Sequence, residues 1–274
     1  MTLFIIIFFG ILGALIGSFL NVVILRYNTG MGIGGRSGCF SCGKVLAWFE
    51  LVPIFSFLIQ KGKCLGCKSS ISSQYPLVEG VTAFLFASIA YVNLVPFYTS
   101  YNIYQIVDLF LVLAVVSILV VVFVYDLRHK VIPDALSFSF AFFAIVRLVF
   151  HEQWVFFHFP YILNFLAGPI LALPFVLVWY FSKGKWMGLG DGKLALGIGW
   201  FLGFSAGLSA VCLAFWIGTV VSLGLIVTQK FLKKKNMLTL KSEIPFAPFL
   251  IIGLLIVYFF PIDIFHINAF LSLF

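Results

Sequence analysis

The chain has 274 residues, of which 63% are hydrophobic and only 9% charged, with a formal net charge of +8. Soluble domains average about 45–50% apolar and about 25% charged residues, and disordered chains need the opposite balance, so both classes are excluded. The positive charge does not indicate nucleic-acid binding, because the bases lie in short loops between apolar runs, where they orient a membrane protein.

A helix needs about 20 apolar residues to cross a bilayer. Eight stretches qualify, near 3–25, 76–95, 106–126, 131–150, 161–182, 190–204, 206–229 and 245–262, the sixth being short and Gly-rich. The expected fold is therefore an all-α polytopic membrane protein with about eight transmembrane helices. The first run lacks a basic start and a small-residue cleavage site, so it reads as a retained helix and not a signal peptide. The last residues, Asp263 to Phe274, are apolar but too short to span again, and are expected at the interface. No internal repeat stands out.

Bases fill alternate loops. Arg26, Arg36, Lys44, Lys61, Lys63 and Lys68 lie in the first, Arg128 and Lys130 in the turn after the third run. Lys183, Lys185 and Lys193 follow the fifth run, and Lys230, Lys233, Lys234, Lys235 and Lys241 follow the seventh. This bias places those loops in the cytoplasm and both termini outside. Arg147 alone falls near the other side, where it could snorkel from the fourth run.

The first loop, 26–75, is the only sizeable part expected in water, and it is too small for a stable core without a staple. It contains Cys39-Phe-Ser-Cys42 and Cys64-Leu-Gly-Cys67. Two C-x-x-C turns aim four thiolates at one tetrahedral ion about 2.3 Å from each sulfur, and Gly38, Gly43, Gly62 and Gly66 permit the tight turns. Structural zinc is expected in place of two disulfides, which rarely persist in the cytoplasm. Four cysteines leave no open position for a catalytic zinc. Cys212, alone in an apolar run, reads as a small core residue.

Acids are scarce: nine in the whole chain. A carboxylate within a span costs several kcal/mol, so it is a functional candidate. Asp126 ends the third apolar run; on its own it is equally readable as an interfacial acid paired with Arg128 or Lys130. Asp191, in Gly188-Leu-Gly-Asp-Gly-Lys193, opens the sixth run; on its own it is equally readable as a helix cap. Crowded glycines imply close approach to Asp191 by something, a substrate strand being one possibility. The pair says more than either member. Both acids sit at one depth on different helices, and two adjoining carboxylates share a proton and perform acid–base hydrolysis. Asp134 reads better as the cap of the next helix. No Ser–His or thiol–His arrangement competes, since His129 stands in a charged turn and His151, His158 and His266 on the outer side.

Tyr125-Asp-Leu-Arg-His-Lys-Val-Ile-Pro-Asp134 and Gly188-Leu-Gly-Asp-Gly-Lys-Leu194 resemble the two signatures of the type IV prepilin peptidases, which are G-x-G-D intramembrane aspartyl proteases. Similar likenesses recur in family order: Gly17-Ser-Phe-Leu-Asn-Val-Val-Ile-Leu-Arg26, the cysteine pairs, Trp48-Phe-Glu-Leu-Val-Pro-Ile-Phe-Ser56, Tyr75-Pro-Leu-Val-Glu79 and Ile244-Pro-Phe-Ala-Pro-Phe-Leu250. The resemblance implies that Asp126 and Asp191 are the catalytic pair. It implies cleavage of the short basic leader of prepilins and pseudopilins after a glycine, at the cytoplasmic face of a bacterial inner membrane. It also implies methylation of the new N-terminus with S-adenosylmethionine, and zinc in the cysteine cluster. Gly188, Gly190, Glu50 and Glu79 are candidate substrate contacts, the two glutamates being equally readable as members of local ion pairs. The expected layout is a first helix over 1–25, a four-cysteine zinc loop with the possible methyltransferase part over 26–75, and a peptidase domain over 76–274. Three rival readings stay open: a transporter with boundary acids, a scaffold whose zinc knuckle recruits a partner, and a peptidase without methyltransferase activity.

Overall fold

The computed structural model describes residues 2–30, 32, 34–95, 102–151, 161–231 and 244–267. Among these residues there are nine α-helices and no strands: α1 Thr2–Arg26, α2 Phe55–Ile59, α3 Gln74–Leu94, α4 Ile103–His129, α5 Asp134–His151, α6 Tyr161–Ser182, α7 Leu189–Leu202, α8 Phe204–Phe231 and α9 Ala247–Phe259. All eight apolar stretches are helical. Five helices, α1, α3, α4, α6 and α8, are long and apolar enough to cross a membrane; α9 is a shorter apolar helix. The expected count of eight crossings thus rests on α5, α7 and α9 as well, and α7, at about 21 Å for its 14 residues, is shorter than the roughly 30 Å hydrocarbon layer. Four of the bases assigned to the last loop, Lys233, Lys234, Lys235 and Lys241, and residues 268–274 of the expected interfacial tail lie outside the described residues.

The chain divides into two compact units, Met1–Val121 and Val122–Phe274, and α4 contributes to both. In the first unit α1 and α3 pack along one another. Gly13 and Gly17, four residues apart, let the backbones approach: a Cβ on Gly17 would lie 2.8 Å from the Cα of Glu79. Such small-residue spacing drives helix pairing in lipid, where hydrophobic burial between helices contributes little. The same interface ends in a polar lock. Buried Asn21 donates to the carbonyl of Tyr75 and accepts from Gln74, both at 3.2 Å.

The loop between α1 and α3 is more ordered than expected. It carries two cysteine knuckles, a 3-10 turn over Trp48–Leu51 and the short helix α2. The knuckles repeat one hydrogen-bond plan. Cys39 N–H donates to Lys44 O and Gly43 N–H to Cys39 O; Cys64 N–H donates to Ser69 O and Lys68 N–H to Cys64 O. Gly43 and Lys68 hold equivalent positions with φ of 69° and 61°. A lysine can occupy the left-handed region at modest cost, so the second knuckle lacks the glycine that marks the first in sequence.

In the second unit α7 is the hub, packed against α5, α6, α8 and α9. Its glycines serve this role. A Cβ on Gly199 would strike the backbone of Ala167 in α6, and one on Gly197 would strike the ring of Phe140 in α5. Both ends of α7 are electrostatically matched. Asp191 occupies its first turn, and Arg147 donates 2.8 Å to the carbonyl of Phe201 in its last. The guanidinium also lies 4.8 Å from the Phe201 ring centroid. Arg147 therefore does not snorkel away: it caps the negative end of α7.

Candidate active site and metal centre

Asp126 lies on the last turn of α4, and Asp191 is the third helical residue of α7 after the cap Gly188. Both are buried, at 4% and 7% exposure. The two carboxylates belong to the same unit, and the charge of Asp126 bears on Asp191. Each is received by the amide end of a helix. The Asp191 carboxylate accepts from the backbone N–H of Gly188, which is the side-chain half of a capping box. The Asp126 carboxylate accepts from the backbone N–H of Ala247, the first residue of α9. Unpaired N–H groups at a helix start favour negative charge there. Asp126 Oδ2 is buried and has no hydrogen-bond partner among the described residues. Arg128 and Lys130 form no ion pair with Asp126 among the described residues, so the interfacial-pair reading of that acid does not hold.

The glycines around Asp191 divide by role. None of Gly188, Gly190 and Gly192 has positive φ. A Cβ on Gly190 would come within 2.8 Å of Ile132 Cβ, in the turn before α5, and one on Gly192 within 3.3 Å of Phe175. The close approach inferred from sequence is thus made by the protein itself at two of the three positions. Among the described residues a Cβ on Gly188 would meet only Asp191 and the Gly190 amide, both at 3.9 Å, so its outer side is open among them. Gly190→Ala should destabilise the protein by about 1–3 kcal/mol through overpacking against Ile132, read as a lower midpoint of thermal unfolding.

Asp134 is the first residue of α5, and its Oδ1 receives Lys193 Nζ at 2.6 Å. Lys193 therefore joins the starts of α5 and α7, beyond any role in orienting a loop. Asp134 is largely exposed, so the pair is worth about 0.2–1 kcal/mol. Asp134→Asn is expected to retain cleavage within a few fold, which would set this third acid apart from Asp126 and Asp191.

In the first unit Glu50 is paired with Lys44 at 2.9 Å and accepts from Ala47 N–H at 2.8 Å. The Ala47 amide, followed by the Lys44 ammonium, holds its carboxyl below the usual range. The local ion pair considered for Glu50 is present. Glu79 forms no such pair among the described residues. It accepts from Ile54 N–H at 2.7 Å and from the Ser18 hydroxyl.

The sulfurs of Cys39, Cys42, Cys64 and Cys67 all lie within 4.8 Å of one another, and none is in a disulfide. Cys39 and Cys67 are 3.8 Å apart. Zinc with four sulfurs at about 2.3 Å places them close to that separation, so the residues fit the ion. Backbone amides of Cys42 and Ser41, helped by the Ser69 hydroxyl, lower the Cys39 thiol to about 6. Cys42 accepts an amide from Lys44, yet its neighbours Cys67 and Cys39 raise it to about 11. All four thiols can ionise together only with a cation between them. Cys212, half-buried in α8, stands apart.

Sequence reading missed the Ala247 amide, Ile132 and the Lys193–Asp134 pair. The first had a signal: Pro248 within the opening turn of α9 marks a helix start, and hence a set of free amides.

Apolar helices long enough to cross a bilayer, with two buried acids each accepting from a backbone amide at a helix start, define a polytopic membrane protein with carboxylates in its interior. The chain belongs to the type IV leader peptidase family: residues 113–223 match that family, and residues 11–93 match the bacterial peptidase A24 N-terminal domain. It is 30% identical over 253 residues to the prepilin leader peptidase/N-methyltransferase of Bacillus subtilis, covering 91% of this chain and 92% of that relative. The Myxococcus xanthus protein of the same name is 33% identical, over 79% of this chain and 62% of its own length. That of Pectobacterium carotovorum is 30% identical over 89% of each. No solved structure matches the chain.

Proposed function

We propose that this enzyme cleaves the leader of type IV prepilins and pseudopilins with Asp126 and Asp191, at the cytoplasmic face of a bacterial inner membrane. The single observation that supports the catalytic part is the pair of buried carboxylates in one unit, Asp126 bearing on Asp191 and carrying an oxygen without a partner among the described residues. Two such acids in one another's field favour a state with one shared proton. The ionised acid takes a proton from water as the water oxygen bonds to the scissile carbonyl carbon. The protonated acid donates to the carbonyl oxygen. Collapse of the tetrahedral adduct breaks the C–N bond and returns a proton to the leaving amine, so no covalent enzyme intermediate forms. The open side of Gly188 is where the substrate backbone would approach Asp191, with Gly190 packed on Ile132 beside it, and Glu50 and Glu79 are the candidate contacts for a basic leader in the first unit.

The cytoplasmic orientation is supported by the bases that cluster in alternate loops. N-methylation of the new N-terminus by S-adenosylmethionine is supported by the names of the relatives and by the match over residues 11–93. There the donor would supply a methyl cation equivalent to the amine, which loses a proton. Cys39, Cys42, Cys64 and Cys67 would hold zinc, which would tie the two knuckles together. The layout proposed is a first helix over 1–25, the four-cysteine loop over 26–75 and a peptidase domain over 76–274.

The test is to mix the purified enzyme in lipid with a candidate prepilin and S-adenosylmethionine, then measure product mass. A product shortened by its leader and heavier by one methyl group is expected. An unchanged precursor would reject the reading, and a shortened, unmethylated product would leave the peptidase alone.

A further inference from the structure

We propose that residues 48–59 form a monotopic element that lies in the membrane interface, with the lipid bilayer as the occupant of its apolar face. The first loop then has two parts: knuckles in water, and a segment seated in lipid.

The surface demands a covering. Trp48 and Ile59 are each 80% exposed, and Phe49, Phe55 and Leu58 are more than half exposed. The 3-10 turn and α2, which carry them, touch one another and so act as one piece. Ser56 lies within the segment, and Gln60 and the exposed Lys61 and Lys63 follow it. Large apolar and aromatic groups with lysines at the margin are the makeup of interfacial segments.

Its depth is set by two contacts to α3. Ile54, the cap of α2, donates its N–H to Glu79 at 2.7 Å, and its side chain reaches Gly80. Glu79 lies five residues inside α3, which begins at Gln74 and is long and apolar enough to span. At 1.5 Å per residue this is about 7.5 Å along the helix. Interfacial segments bury their apolar face about 5–10 Å into the headgroup–acyl boundary, so the tether holds this one at that level. Leu77 and Val81, which flank Glu79 on α3, are also exposed.

The tether is built at a cost. Ile54 has φ 63° and ψ −52°, and Phe55 N–H returns to Pro53 O at 2.6 Å, which makes a γ-turn of the strained hand. A β-branched residue is held there only if its surroundings insist. The turn frees the Ile54 amide to face Glu79.

The full chain, reconstituted without substrate in phosphatidylethanolamine–phosphatidylglycerol bilayers, tests this. The signal is the fluorescence difference between the protein and its Trp48→Phe variant, with Ile59→Trp on the Trp48→Phe background as a second reporter. Lipids brominated close to the headgroup should quench each reporter at least about twofold more than deeply brominated lipids or aqueous acrylamide. Quenching by acrylamide but not by brominated lipid would overturn the proposal. So would protection from both quenchers, which means that protein, a second copy or a client, covers the face. A failure of leader cleavage would leave this readout untouched, so the two readings fail separately.

Discussion

Asp126→Asn and Asp191→Asn should each reduce leader cleavage by on the order of 10²–10⁴-fold, the usual contribution of a positioned acid or base. An amide keeps the shape of the side chain but can neither accept the water proton nor share one. The two sites differ in their supports, yet the expected losses are alike, because in the proposed mechanism one shared proton serves both and the double variant should be little worse than either single one. Folding should survive. Asp126 keeps an acceptor oxygen for the Ala247 amide and Asp191 one for the Gly188 amide. Cleavage rates measured by product mass, beside thermal unfolding of each variant, make the comparison. Near wild-type cleavage by either variant would remove that residue from the mechanism.

Zinc removal should have the largest effect on structure, and it should be confined to the loop. Structural zinc binding is worth about 10–16 kcal/mol in small knuckles that lack a core of their own. The loop matches that description: three of its four ligand residues are wholly or partly exposed, with only Cys64 buried. One zinc per chain is expected by elemental analysis. A strong chelator, or Cys64→Ser, should remove it. The amides of Cys39 and Cys64, bonded to Lys44 and Ser69, should then exchange quickly with solvent. Lowering the pH should act in the same direction, since protons compete with the metal for thiolates. The α1–α3 lock at Asn21 should keep its protection. Cys212→Ser is the control and should retain full zinc. Undiminished protection of the knuckle amides after complete metal removal would count against a structural ion.

Much of this was legible because lipid makes a blunt sequence signal. Long apolar runs must be helices, since no water is present to satisfy a free backbone. Even α7 was visible, although its glycines conceal that it is a hub and not an ordinary span. The four cysteines were legible by spacing alone. What stayed hidden came from backbone geometry and from pairs distant in sequence. No spacing rule joins Asp126 to the amide of Ala247, because the donor is a main-chain group and leaves no residue type to read. Arg147 looked like a misplaced topology signal because its carbonyl partner, Phe201, is equally anonymous. Ile54 argued against its own conformation, since isoleucine avoids positive φ. Its place becomes intelligible only with Glu79, 25 residues away, in view.

The amide that receives Asp126 comes from α9, the last helix described. During synthesis both acids leave the ribosome well before residue 247. Until that helix is inserted, Asp126 lacks the Ala247 amide that it accepts from in the folded protein, and the proposed cutting centre is incomplete. If Asp126 is catalytic as proposed, a truncation just before α9 should yield a membrane-inserted but inert product.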